Sequence, residues 1–259
     1  IKNKIVFRDE PAMQYAYQKS EGTRYGEFYG YIAEGYFQSE EEIKKSPRQM
    51  RELAPGDIKY KDLNDDGVID ANDQCYLGKS WFPSWSYGMG FNINYHNFDL
   101  ALFFQGVSDV SIMANGGSID TGNGDWGASG VGIVPFTGMG LNPSNVITKA
   151  LDRWTADNPR ADAWYPRMTA NATTNDNNYV NSTHWLKDGS YLRLKQASLG
   201  YTLENKKLMD KGIEYLYFYL SGQNLLTFSK FKLWDPELGS NGAKYPLSRM
   251  VTLGMRVSF

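Results

Sequence analysis

The most regular pattern in the chain is an alternation of apolar and polar residues from Trp85 to Tyr95. The apolar positions carry Trp85, Tyr87, Met89, Phe91, Ile93 and Tyr95. Because the side chains of a strand point to opposite faces at every second residue, this pattern predicts a strand with one apolar face. The dipeptide His96-Asn97 follows as a tight turn, and the alternation resumes from Phe98 to Gln105. The segment is therefore predicted to be a β-hairpin.

The length of the first strand separates two fold classes. Eleven residues from Trp85 to Tyr95, at about 3.3 Å each and tilted by about 45°, span roughly 25 Å, the height of the apolar band of an outer-membrane barrel. Strands of soluble proteins average about five or six residues. The pattern therefore favours a transmembrane β-barrel over a β-sandwich with one buried face. On a barrel, Phe91 and Leu102 would contact outer-membrane lipid, whereas Asn92 would face the lumen.

Further strands are predicted towards the C-terminus. Apolar and polar residues alternate from Glu214 to Phe228 and again from Val251 to Phe259. Between Tyr191 and Tyr201 the alternation changes phase, which indicates a β-bulge near Lys195-Gln196. Residues Tyr25–Phe37, rich in Tyr and Phe, are a weaker strand candidate.

The connections between the predicted strands alternate between short and long. The short ones are His96-Asn97 and Glu204–Gly212, and the long ones are residues 38–82, 107–190 and 229–246. Outer-membrane barrels have short periplasmic turns and long extracellular loops. We therefore predict that residues 38–82, 107–190 and 229–246 are extracellular loops and that the C-terminal Phe259 lies on the periplasmic side.

Composition and charge exclude several classes of protein. The 27 basic and 29 acidic side chains give a net charge of -2, which offers no basic surface to a polyanion, so no nucleic-acid partner is expected. No run of about 18 apolar residues is present, which excludes a transmembrane helix. The one cysteine, Cys75, excludes an intramolecular disulfide. The two histidines, His96 and His184, lie in no metal or nucleophile motif and are expected in turns or at the surface.

The segment from Asp62 to Asp73 matches a twelve-position calcium loop, with Gly67 at the sharp turn. The predicted ligands are the side chains of Asp62, Asn64, Asp66, Asp70 and Asp73 and the backbone carbonyl of Val68. Position 12 is Asp rather than Glu, which makes bidentate closure less assured. A structural Ca²⁺ that stiffens this loop is predicted, and a solvated turn that binds no ion is the alternative.

Sequence motifs for catalysis are absent. The chain has no G-x-S-x-G, no H-E-x-x-H and no phosphate-binding loop. Its Ser, Asp and His residues fall in no recognisable catalytic order. We therefore expect that this protein is not an enzyme.

Several short motifs resemble those of one family in order and spacing. They are Pro55–Asp62, Tyr87-Gly88, Asn97–Leu100, Phe103–Gly106, Trp185–Lys195, Leu199–Tyr201 and Ser221–Leu226. They cover nearly the whole chain, and together they are similar to the C-terminal part of the SusC/RagA family, the TonB-dependent outer-membrane transporters of Bacteroidetes. The resemblance implies an all-β fold: the C-terminal segment of a large antiparallel transmembrane β-barrel of 22 strands with long extracellular loops.

The resemblance also implies a function and partners. Such a transporter in the bacterial outer membrane imports oligosaccharides or peptides, works with a SusD-like surface lipoprotein as a lid, and is energised through TonB. A 22-stranded barrel with about 10 residues per strand needs roughly 220 residues before any loop. Residues 1–259 are therefore expected to be the C-terminal part of the barrel, without the plug domain, the TonB-contacting segment and the N-terminal strands. The alternative is a secreted, calcium-stiffened β-sandwich that binds glycan through exposed Trp and Tyr.

Tryptophans are concentrated in the long segments. The candidates for contact with substrate or lid are Trp126, Trp164 and Trp234. An aromatic ring can stack on a sugar or fill a pocket in a partner. Trp154 and Trp185 are instead expected in the small cores of the loops themselves. Trp154 belongs to a short helix predicted for Asn145–Thr155, with Ile147 and Leu151 on the same apolar stripe.

Overall fold

The computed structural model describes residues 3–115, 147–168, 176–240, 242 and 245–259. Within these ranges the strands are β1 (Glu27–Gly30), β2 (Ala33–Tyr36), β3 (Ile58–Tyr60), β4 (Cys75–Ser80), β5 (Trp85–Tyr95), β6 (Phe98–Ser108), β7 (Ser111–Met113), β8 (Leu186–Asp188), β9 (Tyr191–Leu203), β10 (Tyr215–Ser229) and β11 (Met250–Ser258). Two short α-helices, α1 (Glu40–Lys45) and α2 (Lys206–Met209), accompany them. No helix in the described ranges combines the length and the hydropathy that crossing a membrane requires.

The longest strands form one antiparallel sheet in the order β11-β10-β9-β6-β5. The predicted hairpin is confirmed, because β5 pairs with β6 without a break from Trp85 opposite Ser108 to Tyr95 opposite Phe98. His96 adopts a φ of 52°, in the left-handed region that a two-residue hairpin turn requires at its first position. The sheet thus follows the strands predicted from the alternating pattern.

Cross-strand partners in this sheet place its apolar residues on one face. Phe91 pairs with Leu102, and Leu102 pairs with Ala197 in β9. The same face continues through β10 and β11, where Leu220 pairs with Leu253. Leu253 is 80% exposed and Leu220 is 47% exposed. A β-sandwich needs a second sheet to bury such a face, so the exposed apolar face agrees with a barrel wall and not with a sandwich.

The predicted bulge in β9 is confirmed. Phe103 of β6 pairs with Gln196, but the next residue, Phe104, pairs with Leu194, which leaves Lys195 as the extra residue. A bulge changes the phase of alternation by one residue. The bulge therefore keeps Leu194 on the same apolar face as the residues beyond Gln196. Without the bulge, regular alternation would place Leu194 on the opposite face.

Small residues on the polar face make room for tyrosines. The Tyr217 hydroxyl donates to the Asp99 carboxylate at 2.9 Å, and it does so across Gly200 of the intervening strand β9, which pairs with Asp99. A Cβ at Gly200 would overlap both the Tyr217 hydroxyl and the Asp99 carboxylate. Gly200 is therefore required by close side-chain approach rather than by backbone conformation.

A second region, which we call the loop unit, comprises residues 27–80, 111–115, 147–168 and 176–190. It contains the small sheets β1-β4, β2-β3 and β7-β8. Its shared core consists of Tyr31, Tyr36, Ile58, Tyr60, Ile69, Met113, Ala150, Trp154, Ala163, Tyr165 and Trp185. The segments 38–82 and 107–190, predicted from the sequence as separate loops, thus pack on one another.

Two local predictions need correction. Tyr25–Phe37 forms not one strand but two, β1 and β2, because the chain meets Asn181 between them: Tyr31 N–H donates to the Asn181 carbonyl at 2.9 Å. The helix predicted for Asn145–Thr155 lies partly outside the described residues. Its described part is a 3-10 turn, Thr148–Leu151, with Leu151 77% exposed, so Leu151 is not part of a buried stripe.

Candidate functional site

The loop unit lies at one end of the five-stranded sheet. At this end Trp85 pairs with Ser108, and Tyr191 pairs with both Val107 and Ser229. All the long segments therefore leave the sheet from the same end. The short turns, including His96-Asn97, lie at the other end. The loop unit and the neighbouring segment 229–246 are accordingly the parts of the described chain in which a binding site is expected.

Trp154 and Trp185 anchor the core of the loop unit. Trp185 is fully buried and Trp154 is 5% exposed. The Trp185 indole N–H donates to the Asn178 carbonyl at 2.7 Å, and its ring contacts the edge of Tyr165 at a centroid distance of 5.7 Å. The expectation that these two tryptophans are loop cores is confirmed.

A buried polar network joins the two long segments, and no sequence motif indicates it. The Asp57 carboxylate, 1% exposed, pairs with the Arg167 guanidinium through two bonds of 3.1 and 3.0 Å. It also accepts from the Asn178 side-chain amide at 2.8 Å and from the Ala54 backbone N–H at 2.8 Å. Arg167 lies 110 residues from Asp57 in sequence, so no local motif could have revealed the pair.

Both histidines lie in turns, as expected, but His184 is half-buried whereas His96 is exposed. The His184 Nε2 atom is 3.2 Å from the Trp164 carbonyl and 3.3 Å from the Tyr36 hydroxyl. A carbonyl can only accept, so Nε2 carries the proton. Burial, followed by the charge of Lys187, lowers the pKa of His184 from 6.5 to about 4.

We expect the stability of the loop unit to fall as the pH drops from about 6.5 to about 4. In this range the unfolded chain binds a proton at His184 that the folded chain excludes, so acidification favours unfolding. Hydrogen exchange of the loop-unit amides at a series of pH values measures this effect. His184→Asn should flatten the pH profile, whereas His96→Asn, at the exposed turn, should leave it unchanged. An unaltered profile in His184→Asn would contradict the assignment.

The first half of the calcium-like loop is closed by the Asp62 carboxylate. It accepts the backbone N–H groups of Asp65 at 2.7 Å and Gly67 at 2.8 Å. Asp65 and Gly67 have φ values of 58° and 80°, so the chain turns sharply at the position that the sequence motif predicts. The Asp66 carboxylate, in turn, accepts from Val68 N–H at 2.9 Å.

The second half of the loop is closed by Asp73, which is fully buried. Its carboxylate accepts from Leu63 N–H at 2.7 Å and from Asp70 N–H at 2.9 Å. The Asp70 carboxylate accepts from Asn72 N–H at 2.7 Å. Asp73 therefore joins the two ends of the loop through these hydrogen bonds.

The structure does not gather the predicted ligands around one point. In the part of the chain that is described, no three His, Cys, Asp or Glu side chains stand together as metal ligands. The oxygen donors are of the type that Ca²⁺ prefers, but as arranged they accept from amides of their own loop. The calcium site built from Asp62, Asn64, Asp66, Val68, Asp70 and Asp73 stays a prediction.

If the loop binds Ca²⁺, chelation should expose it to proteolysis while the long strands stay intact. The physical reason is that the carboxylates would turn from the amides to the ion and gain rigidity from it. The measurement is the rate of proteolytic cleavage within residues 38–82 in Ca²⁺ and in EGTA. Asp62→Asn/Asp66→Asn should abolish the difference, and Glu40→Gln/Glu41→Gln, in α1, should keep it. Equal cleavage rates in Ca²⁺ and EGTA would contradict the prediction.

Two of the three candidate tryptophans line one groove of about 840 Å³. Trp164 forms one wall of this groove and Trp234 another. Neither ring is free on both faces: Lys187 lies 5.3 Å from the Trp164 ring centroid, and the Trp234 ring packs against Gly242. The third candidate, Trp126, lies outside the described residues. Trp164 and Trp234 therefore shape a groove rather than project from a surface.

Comparison with known proteins finds relatives among TonB-dependent receptors of Formosa agariphila. TonB-dependent receptor P26 is 30% identical over 241 residues, which cover 87% of this chain and 22% of that protein. TonB-dependent receptor P3 is 28% identical over 255 residues, which cover 92% of this chain and 22% of that protein. The chain thus spans about a fifth of the length of these relatives. No family model matches the chain.

Solved structures of the RagAB peptide importer share the fold. The open-open state matches 96% of this chain and 24% of the solved chain, with a TM-score of 0.63 and 23% identity. The closed-closed state matches 92% of this chain and 24% of the solved chain, with a TM-score of 0.62 and 23% identity. These matches agree with the antiparallel sheet and its exposed apolar face. The resemblance found in the sequence motifs is confirmed: over most of its length the chain is similar to part of TonB-dependent receptors, and it shares its fold with the RagAB peptide importer.

Proposed function

We propose that this chain is part of an outer-membrane transporter that imports nutrients. The observation that carries the proposal is the five-stranded sheet, whose apolar face runs through all its strands and is exposed. Lipid chains would cover this face, since they are as apolar as the side chains and need no hydrogen bonds. The names of the sequence relatives, all TonB-dependent receptors, support the same function.

The orientation of the segment follows from the two ends of the sheet. Because the loop unit lies at one end and the short turns at the other, we infer that the loop unit faces the outside of the cell. Residues 38–82, 107–190 and 229–246 are then extracellular and Phe259 is periplasmic. Labelling of a single cysteine at exposed Lys44 in intact cells should succeed, and labelling at exposed Lys206 should need a permeabilised outer membrane. The reverse pattern would overturn the orientation.

We infer further that the transporter works with a surface lipoprotein of the SusD type, which closes over the loop unit as a lid. The structures that share this fold belong to a peptide importer solved in open and closed states, which supports a closing partner. Oligosaccharides or peptides are the proposed substrates. Energy would come from TonB through a part of the transporter outside this segment, as the name of the relatives suggests.

Uptake by intact cells tests this function. Fluorescent oligosaccharides and peptides are offered to cells that carry the full transporter, to cells that lack it, and to cells that lack TonB or the neighbouring lipoprotein. Import that requires the transporter, TonB and the lipoprotein is the expected result. Import of every probe at the same rate after loss of the transporter would overturn the proposal.

A further inference from the structure

The groove lined by Trp164 and Trp234 carries an unusual set of charges. Its apolar floor includes Phe231, which is 7% exposed, and Leu233. Four lysines surround this floor: Lys149, Lys187, Lys230 and Lys232. Two aspartates, Asp152 and Asp188, also line the groove. The groove is therefore basic, although the chain as a whole has a net charge of -2.

One of the two aspartates, Asp152, forms an ion pair with a lysine of the groove, and the other, Asp188, lies near the charge of Lys230. Asp152 pairs with Lys149 at 2.8 Å. Burial raises the pKa of Asp188, but hydrogen bonds from Ser190 and the charges of Lys230 and Lys79 outweigh it and leave this pKa below its usual range. Positive charge therefore remains in the groove after the internal pairs are counted.

Lys187 is the most constrained of the four cations. Its Nζ donates to the His184 carbonyl at 2.6 Å and lies over the Trp164 ring. Among the ion pairs of the described residues, none joins Lys187 to a carboxylate. Burial, together with the charge of Lys149, lowers the pKa of Lys187 to about 8. A partly buried ammonium that has no carboxylate partner is stabilised when an anion approaches.

We propose that this groove binds an acidic oligosaccharide, one that carries carboxylate or sulfate groups. The inference rests on the proposed import function and narrows its substrate class. Anionic groups would pair with Lys187, Lys230 and Lys232, and the apolar edges of the sugar rings would lie along the floor. The groove has a volume of about 840 Å³, which lies within the usual range of ligand sites.

The mixture of charges favours a sugar over an acidic peptide. Sugar hydroxyls can donate hydrogen bonds to Asp152 and Asp188 while the acidic groups contact lysines. A peptide of Asp or Glu residues has no side-chain donor for these carboxylates. The arrangement of lysines with two intervening aspartates therefore matches a molecule that carries both hydroxyls and anions.

Calorimetric titration of the purified full transporter tests the proposal. The probes are tetragalacturonate, its neutral methyl ester, a sulfated carrageenan tetrasaccharide and tetraglutamate. We expect at least one of the two acidic oligosaccharides to bind, and to bind at least tenfold more tightly than the methyl ester and tetraglutamate. Absence of binding by both acidic oligosaccharides, or tighter binding of tetraglutamate, would overturn the proposal.

Variants connect the binding to the groove. Lys230→Gln/Lys232→Gln changes two exposed side chains, so folding should be unaffected, and it should weaken binding of the acidic oligosaccharide about tenfold. Lys211→Gln, in the turn at the opposite end of the sheet, should change affinity less than twofold. Unchanged affinity in the double variant would overturn the groove assignment. If the double variant imports an acidic oligosaccharide as well as wild type, the import function stands and this inference fails.

Discussion

Replacing Phe91 by Arg is expected to destabilise the barrel segment by about 2 to 4 kcal/mol. Phe91 lies midway along β5 on the apolar face, opposite Leu102, and its ring contacts the edge of Phe104 at a centroid distance of 6.3 Å. In a membrane barrel this position is at the middle of the hydrocarbon layer, where a guanidinium has neither water nor a counter-ion. The cost follows from the proposed lipid contact and not from any loss of core packing.

Asn92→Arg is the matched control, because Asn92 is the next residue and points to the opposite face. There the arginine would reach water in the lumen, so we expect a cost well below that of Phe91→Arg. The measurement is urea unfolding of the full transporter in lipid vesicles, followed by the mobility shift of the folded barrel on gels. Equal destabilisation by the two substitutions would show that the apolar face of β5 does not contact lipid.

Arg167→Leu is expected to destabilise the loop unit by about 3 kcal/mol. The change removes both charged hydrogen bonds to Asp57, whose carboxylate is 1% exposed. A buried carboxylate without its cation is costly, but Asp57 keeps its bonds from Ala54 N–H and Asn178, which places the effect at the lower end of the usual range. Hydrogen exchange of the amides around Ile58 reports the change.

Arg160→Leu serves as the control for a surface arginine. Arg160 pairs with Asp152 and Asp162, but its side chain is 43% exposed and that of Asp162 is 83% exposed. Water screens exposed pairs of this kind, so we expect a much smaller loss of stability than for Arg167→Leu. If Arg160→Leu loosened the loop unit as much as Arg167→Leu, the buried pair would not be the link between the two long segments.

The long strands could be predicted because their signal is local. In β5, β6, β10 and β11 apolar and polar residues alternate, so the pattern predicts which face each side chain occupies. A register shift of one residue would move every side chain to the opposite face. The bulge at Lys195 could also be predicted from the sequence, since the alternation changes phase there. The cross-strand partners of Leu102 and Leu220 confirm these predictions.

The loop unit gave a weaker signal for a physical reason. Its strands have three to six residues, too few to establish a period. Its stability comes from contacts between distant residues, such as Tyr60 O–H donating to the Asn177 carbonyl 117 positions away. The partial burial of His184 and the charge of the groove around Lys187 arise from the same long-range packing.

The sequence by itself determined the barrel strands, their apolar face, the sharp turn at Gly67 and the family resemblance, because each rests on residues that are neighbours along the chain. Only the tertiary structure decided that the segments 38–82 and 107–190 share one core, that Asp57 meets Arg167, and that lysines from the segments 107–190 and 229–246 surround one groove. The burial of a side chain and the approach of like charges depend on which distant segments contact each other in the folded chain. A local pattern of apolar and polar residues does not predict those contacts.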